Sequence, residues 1–600
     1  MTINAFAAGT YRFDRQSASL VGMKNQLDGL ARQLSTGRTS ETYGGLGAGR
    51  TTSLSAHAAI SAQDGYLAAI TAAETRVKVT SASLTQLKTL ADSTQANLTN
   101  VVSSRNQALP QTSVQLAANN LSAAVDALNQ QVGGVYVFSG RATDTSPVVS
   151  DQVILNGVPS EGLDGLKTLI AEQKAADLGP AGNGRLSQSL AGSRLTLTED
   201  GNGEARANLG FSLQAATSSG SGALIANRTA GTKADVTLSL AEQPAEGSQV
   251  RVVIQLADGS QKTLDLTARA GEAGNGPGAF LIGATKEATA LNLKAALGGA
   301  DIASVQSANP PGVTAAFTGG SPASATLALG SQPAAGDAIT LKLGMHDGTT
   351  RTITLTAGAT ADATSATTFA ISDKPGAAGI AETAANLDAT LKRALQQAAA
   401  TDLSASSTAR ASLNFFEGSP VAGLSPRRVN ADGDGYAQTA SSKTVIWYKG
   451  DTAADARGTA AVQVGTSRTV EIGAQANEEA IRRSLAGIAA VAAERFSGAT
   501  TDGDRFQALS NRAATLFTAG EGTASLEDMG TDFGLAASSM ANAKSVAGAT
   551  KATLESSLDG VDTVSTEEVA AKLLSLQTQL QASYKVTSIL SEMSLVNFLR

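Results

Sequence analysis

The apolar positions of this chain change period as one reads along it. Phe6, Phe13, Leu20, Leu27 and Leu34 stand seven apart, and Met23 and Leu30 fall three residues beyond Leu20 and Leu27. That is a heptad stripe, the pattern of a coiled-coil seam. Gly37 is placed to end the helix, as a residue just past a C-cap should be. Thr39 to Arg50 carries four glycines and reads as loop. A second helix is predicted from about Ser61 to Gln107, with Leu67, Ile70, Val77, Leu84, Leu87, Leu98 and Val101 near one face and Pro110 as its stop. Some 40 residues of helix is ~60 Å, longer than an ordinary globular helix. A third helix follows with Val114, Leu121, Val125, Leu128 and Val132.

The C-terminal part mirrors this. Leu526, Met529, Phe533, Met540, Ala543 and Ala547 mark one helix, continued by Leu554, Leu558 and Val561. Ser565 and Glu568 have capping-box spacing. Val569, Leu573, Leu576, Leu580, Ser583, Val586, Leu590, Met593 and Val596 then advance by threes and fours. Apolar stripes at both ends are expected to pair with each other or with another subunit, because exposed apolar stripes mark partner surfaces. The plainer alternative is an intramolecular two-helix coiled coil with no assembly role.

Between about Leu195 and Gln475 the period shortens to two. Val250 to Leu256 reads as a strand, Asp258-Gly259 as a hairpin turn, and Lys262 to Leu266 as the return. The unit recurs as Ile339 to Leu343, Asp347-Gly348 and Thr352 to Leu355. Gln243-Pro244 matches Gln332-Pro333, Gly247 matches Gly336, and Leu266-Thr267-Ala268 matches Leu355-Thr356-Ala357, every pair 89 positions apart. A short helix follows each copy, marked by Asn292-Leu293 and Asn386-Leu387. A weaker third echo is Val470-Glu471-Ile472 followed by Asn477-Glu478-Glu479. Two copies fall short of a solenoid, so they read as two small α+β modules.

The expected fold class is therefore mostly α: a coiled-coil or helical-bundle stalk formed by both chain ends, with inserted β-rich α+β outer modules. Residues 1–45 with 562–600 make a terminal coiled-coil core domain, and 46–190 with 476–561 a helical stalk. Residues 191–475 make a β-rich outer insertion with a duplicated module at about 234–300 and 323–397.

Composition narrows the function. The chain has 600 residues, 42% hydrophobic but only 4% aromatic, with one tryptophan, Trp447. Its cores must be built from Ala, Leu, Val and Ile. With no cysteine, disulfides and thiolate metal sites are excluded. The two histidines, His57 and His346, lie far apart in sequence and read as ordinary imidazoles. Net charge is −7 and no basic stripe interleaves with aromatics, so nucleic acid is not an expected partner. No run approaches ~18 apolar residues, so membrane insertion is not expected. The first residues lack a basic n-region and an apolar h-region, which argues against a cleaved signal and, on composition alone, reads as cytosolic.

Candidate chemistry is thin. Gly44 to Thr51 looks like a phosphate loop with Arg50 in the lysine position, but that motif needs a preceding strand and here follows a helix; a glycine hinge is the better reading. Asn430 to Gly435 resembles the first half of a calcium loop, yet Ser441 stands where the bidentate Glu belongs. Glu478 and Glu479 are helix neighbours and cannot face one another. No Ser/His/Asp constellation is visible. No catalytic residue, cofactor or metal ligand is expected, and the chain reads as no enzyme.

Leu30-Ala31-Arg32-Gln33-Leu34-Ser35-Thr36-Gly37 resembles the N-terminal signature of the flagellin family, in which a helix ends in an "R-L-S-T/S-G" turn. Gln577 to Arg600 looks like the matching C-terminal helix. The resemblance covers about residues 1–140 and 500–600, at both ends of a divergent centre. The chain departs from the family at Glu41-Thr42-Tyr43-Gly44-Gly45, where a "D-D-A-A-G"-like segment is usual.

Within that family, Val135-Tyr136-Val137-Phe138-Ser139-Gly140 with Thr143-Asp144-Thr145 resembles a segment of the hook–filament junction branch (hook-associated protein 3), and the ending around Ser583-Tyr584 and Leu595 to Leu599 leans the same way. Val445 to Gly450 and Ala476 to Glu479 instead resemble segments of large flagellin-like proteins, so the junction branch is preferred and a filament flagellin is the alternative.

The resemblance implies a structural flagellar subunit that self-assembles through its terminal helices, with Phe6, Phe13, Leu20, Leu27, Leu34, Leu573, Leu576, Leu580, Leu590, Met593 and Val596 as the assembly interface. It implies further copies of itself and other axial proteins (hook-associated proteins, flagellin) as partners, and a flagellar export chaperone. It also implies an extracellular location on the bacterial flagellum, reached through the flagellar type III channel without signal cleavage. A secreted surface adhesin is the remoter alternative.

Overall fold

The structure is a computed structural model that describes residues 6–104, 109–360, 362–499, 501–520 and 523–598. Helix α1 spans Phe6–Thr36, a short 3-10 turn Tyr43–Gly49, α2 Arg50–Ser104 and α3 Leu109–Leu128. Two expectations change here. The long helix begins at Arg50 rather than near Ser61, because small residues carry its first buried face: Ser53 and Ala56 are buried where apolar spacing is faint. Pro110 sits in the first turn of α3, a position that needs no proline N–H. Val132, expected in α3, pairs instead with Val135 in the two-residue ribbon β1 (Gln131–Val132) and β2 (Val135–Tyr136). Helices α4 (Asp151–Asn156) and α5 (Leu166–Leu178) follow.

The strands begin at β3 (Ser187–Ala191) and β4 (Arg194–Thr198), then α6 (Gly203–Asn208), β5 (Ser212–Ser219) and β6 (Leu224–Thr229). Next come β7 (Asp235–Leu240), β8 (Gln249–Gln255), β9 (Gln261–Arg269), β10 (Ala279–Leu281) and α7 (Lys286–Ala296). After them lie β11 (Asp301–Ser307), β12 (Val313–Thr318), β13 (Ser324–Leu329), β14 (Ala338–Gly344), β15 (Thr350–Gly358), β16 (Thr368–Ala370) and α8 (Gly376–Ala398). A π-helical turn joins α8 to α9 (Ser404–Phe416). The second copy's helix is thus twice the length of the first and runs on into a further buried helix.

The remaining elements are the hairpin β17 (Ala461–Gln463) and β18 (Thr469–Glu471), then α10 (Glu479–Ala492), α11 (Asp502–Leu516), α12 (Leu526–Asp562) and α13 (Thr566–Phe598). The third echo is therefore not a third module: β18 pairs only with β17, without the four-stranded sheet of the other two.

The chain divides into two compact units. One comprises residues 1–75, 461–471 and 535–600, the other 76–460 and 472–534. In the second, two sheets of four carry the repeat, in strand orders β10-β9-β8-β11 and β16-β15-β14-β5. Strand β12 pairs with β7, and β13 lies between β4 and β6. Each module has its own core, one around Val250, Val252, Phe280 and Leu293, the other around Ile339, Leu341, Phe369 and Leu387. Beside them α3, α5, α9, α10 and α11 bury Leu121, Leu169, Phe415, Ile488 and Phe506. Trp447 is fully buried there, edge-on to Phe416 and beside Tyr448, with Nε1 donating to the Phe416 carbonyl at 2.9 Å.

Candidate assembly surface

In the first unit the family-like turn is a clasp. Helix α1 ends because Gly37 takes φ 68°, the left-handed conformation that glycine adopts without penalty. Its N–H returns to the Gln33 carbonyl at 2.8 Å. Thr36 Oγ1 donates to the Arg32 carbonyl, and Gln33 Nε2 reaches forward to the Thr39 carbonyl. The released strand then zips onto the link between α12 and α13. Arg38 bridges Thr563, Thr39 N donates to the Asp562 carbonyl at 2.8 Å, and Val564 N donates to the Gly37 carbonyl at 3.1 Å. The predicted cap of α13 is half present: Glu568 N donates to Ser565 Oγ, while the Glu568 carboxylate pairs with Lys572.

This clasp sets α1 antiparallel to α13, and Gln16 Nε2 meets Thr587 Oγ1 at 3.1 Å. The same sense holds for the facing parts of α2 and α12. His57 Nε2 lies 3.0 Å from Asp562 Oδ2, Lys551 Nζ 2.6 Å from Asp64, and Lys544 Nζ 2.7 Å from Glu74. These partly exposed pairs set register more than they add stability. Close packing adds to it: a Cβ on Gly49 would stand 2.6 Å from Val561 Cγ1, so the glycine stretch is a contact rather than a free hinge.

The predicted seam residues now have places. Leu20, Leu27, Leu573, Leu576 and Leu580 are half-buried, and Leu34 is just exposed. The side chains of Phe6, Phe13, Leu590, Met593 and Val596 lie outside the described residues. What the heptad reading passed over is the opposite side. Tyr11 and Val21 on α1, and Leu574, Tyr584 and Ile589 on α13, are exposed, and so is Val586, which belongs to the expected stripe. Among the described residues, eleven of the fifteen exposed large hydrophobic side chains belong to this unit, which holds about a quarter of the chain. Monomeric surfaces scatter such residues singly; a concentration of them marks a partner surface.

The second unit offers three other places where chemistry could sit. Asp177, fully buried, accepts from Ser407 Oγ at 2.7 Å, Gln173 Nε2 at 2.9 Å and Gly210 N at 3.0 Å, with Arg410 3.5 Å away. His346 is buried close by, and its Nε2 faces the Leu209 carbonyl at 3.3 Å, to which it can only donate. Burial pushes this imidazole down to about 4, with Arg410 acting the same way and Asp177 and Asp347 opposing. The group is sealed from solvent and ties α5 and α9 to the strands.

A cleft of about 370 Å³ is lined by Arg206, Arg228 and Lys233 against Glu199, Asp258 and Asp301. Its charges balance, and its carboxylates are occupied: Glu199 by the Leu213 and Ala323 N–H groups, Asp301 by Lys233, Asp258 by Ser260. In the loop Asn430–Gly435, Asp434 is held by Asn430 and Asn202 side chains. Glu478, a sequence candidate beside Glu479, pairs with Arg457 at 2.9 Å and accepts from Gln475 N.

The geometry thus defines a class: a chain whose terminal segments fold as one antiparallel helical unit that carries most of the exposed large apolar side chains among the described residues, and whose middle segment holds duplicated β-rich modules. No family model matches the sequence, and no curated protein matches it. Among solved structures the chain is similar to the crystal structure of Xanthomonas campestris FlgL, in space group C2. The identity is 14%, the match covers 60% of this chain and 92% of that one, and the TM-score is 0.15. A likeness of that size carries no argument about fold or function.

Proposed function

We propose that this chain is a structural subunit of the bacterial flagellum, not an enzyme, and that it self-assembles through its paired terminal helices at the hook–filament junction. The observation that carries the reading is the exposed apolar side of the first unit. The family-like turn at Leu30–Gly37 lies at the clasp that creates that unit, and the junction-like segment at Val135–Thr145 favours this branch. Copies of the same chain and other axial proteins cover the side chains that a lone molecule leaves wet. A half-exposed Leu, Ile or Val gains about 1 kcal/mol on full burial, so several per neighbour outweigh the ordering cost of the ends. Export through the type III channel and a dedicated chaperone belong to the same reading. The filament itself is the second reading, favoured by Val445–Gly450.

The test is sedimentation and electron microscopy of the purified chain at rising concentration, beside a chain lacking residues 566–600. The full chain is expected to polymerise or to join flagellar ends, and the shortened chain to stay soluble with its second unit folded. Polymerisation by the shortened chain would sink the proposal. Immunogold labelling of intact flagella separates junction from filament.

A further inference from the structure

The duplicated segment pairs with itself in an unusual way. The offset of 89 residues holds well beyond the expected module: β5, β6, β7, β8, β9 and β10 start at 212, 224, 235, 249, 261 and 279, and β11 to β16 start at 301, 313, 324, 338, 350 and 368. Residues 212–297 and 301–398 are therefore two tandem copies of one unit of six strands and a helix. Even an irregularity is copied. The ladder between β11 and β8 skips Ala303, and the ladder between β5 and β14 skips Gln214, 89 positions earlier.

Neither copy keeps its first two strands. Strands β8, β9 and β10 of copy one are joined by β11 of copy two, while β14, β15 and β16 of copy two are joined by β5 of copy one. Likewise β7 pairs with β12, and β13 with β6. Both cores are filled across the copies: Ile302 and Val313 enter the core of Val250 and Phe280, and their counterparts Leu213 and Leu224 enter the core of Ile339 and Phe369.

The connections that cross are residues 230–234 and 319–323. There Thr232 N donates to the Ser321 carbonyl at 2.9 Å and Ser321 N donates to the Thr232 carbonyl at 3.0 Å. These residues are equivalent, 89 apart. Equivalent positions meet each other only on a twofold axis. The crossing is tight: a Cβ on Gly231 would lie 2.5 Å from Ala323 N, and one on its counterpart Gly320 2.8 Å from Ala234 N.

We infer that the insertion is an intrachain dimer: two copies of an 89-residue unit that have exchanged their first two strands about a local twofold axis, so that the partner each exchanged pair of strands takes is another copy of the same unit. The exchange is of the domain-swapped kind, in which a closed contact is replaced by the identical contact from a neighbour. The closed form calls for no pairing that the two copies do not already make between them. Thr229 already faces Ser324 and Thr318 faces Asp235 in antiparallel register. A five-residue connection could return β6 onto β7, or β12 onto β13, as an ordinary hairpin. Pro322 in one crossing segment fixes its own φ and holds Ser321 extended, which favours the open path.

The chain has no cysteine, so paired substitutions report directly. Facing antiparallel residues lie within disulfide reach. The exchanged arrangement predicts that T229C with S324C, and D235C with T318C, link on mild oxidation within one chain, while T229C with D235C and T318C with S324C do not. Linkage of the latter pairs, or linkage of the former only between two chains, would overturn the inference. Excision of residues 231–319 from the full chain then tests the unit itself. A single copy is expected to close β6 onto β13 and to leave residues 324–398 protease-resistant in a monomer; complete loss of that resistance would refute the claim that one copy suffices.

Discussion

Gln243 and Gln332, equivalent residues of the two copies, make the same clasp: each side-chain amide joins a carbonyl beyond the last strand of its sheet to a threonine hydroxyl on the following helix. Gln243 donates from Nε2 to the Gly283 carbonyl and accepts at Oε1 from Thr289, whereas Gln332 donates from Nε2 to both the Ser372 carbonyl and the Thr383 hydroxyl. The carbonyls keep the 89-residue offset and the threonines do not, because the second copy has five more residues between carbonyl and threonine, most of them an added first turn of α8. Gln332→Ala is expected to lower the stability of its module by about 1–2 kcal/mol. Gln243→Ala, at a more exposed site, should cost less. Urea unfolding followed by hydrogen exchange in each module measures both.

His346 makes the second unit acid-sensitive. The buried imidazole titrates at about 4 rather than near its usual 6.5. As pH falls through that window the unfolded chain takes up a proton that the folded chain refuses, so stability declines from pH 6.5 downward and this contribution levels off near 4. The full cost is on the order of 3 kcal/mol. His346→Gln should flatten the pH dependence of unfolding across that window; an unchanged slope would show that other groups dominate.

On α13 two kinds of apolar residue should behave oppositely. Leu574→Glu and Val586→Glu alter exposed side chains and should leave the unit folded while raising the concentration needed for assembly ~10-fold or more. Leu576→Glu places a charge in the half-buried seam and should loosen the pairing of α1 with α13, read as lost helix signal.

Gly37→Ala probes the clasp. A Cβ in the left-handed region costs about 1 kcal/mol, and no neighbour crowds the site. The amides of Thr39 and Val564, which bond across the clasp, should exchange with solvent about five-fold faster. Unaltered exchange would mean that the turn is held by other contacts.

The sequence displayed the periodic parts best. Heptad spacing located α1 and α13, and the Asp-Gly pairs located both β hairpins, since period and turn chemistry are local properties. The start of α2 escaped because Ser53 and Ala56 bury a face without being strongly apolar. The repeat was visible as far as Gln243, but its first two strands were not. Strands β5 and β11 share little side-chain chemistry, and only their common bulge and common place in the ladders reveal them. The exchange of the first two strands has almost no sequence signal, Pro322 aside, because open and closed forms use the same contacts. In the terminal unit the heptad stripe described most of the seam, while the exposed Leu574, Tyr584 and Ile589 fall outside it and Val586, a stripe position, is exposed.

Trp447 gives the molecule a built-in reporter with a blind spot. The lone indole is enclosed within the second unit, with its N–H bound to Phe416, so its emission follows the opening of that unit alone. The helices at the two ends carry no such fluorophore. Their melting and association are optically silent at tryptophan wavelengths, and a sample whose ends had come apart would still look native in a fluorimeter.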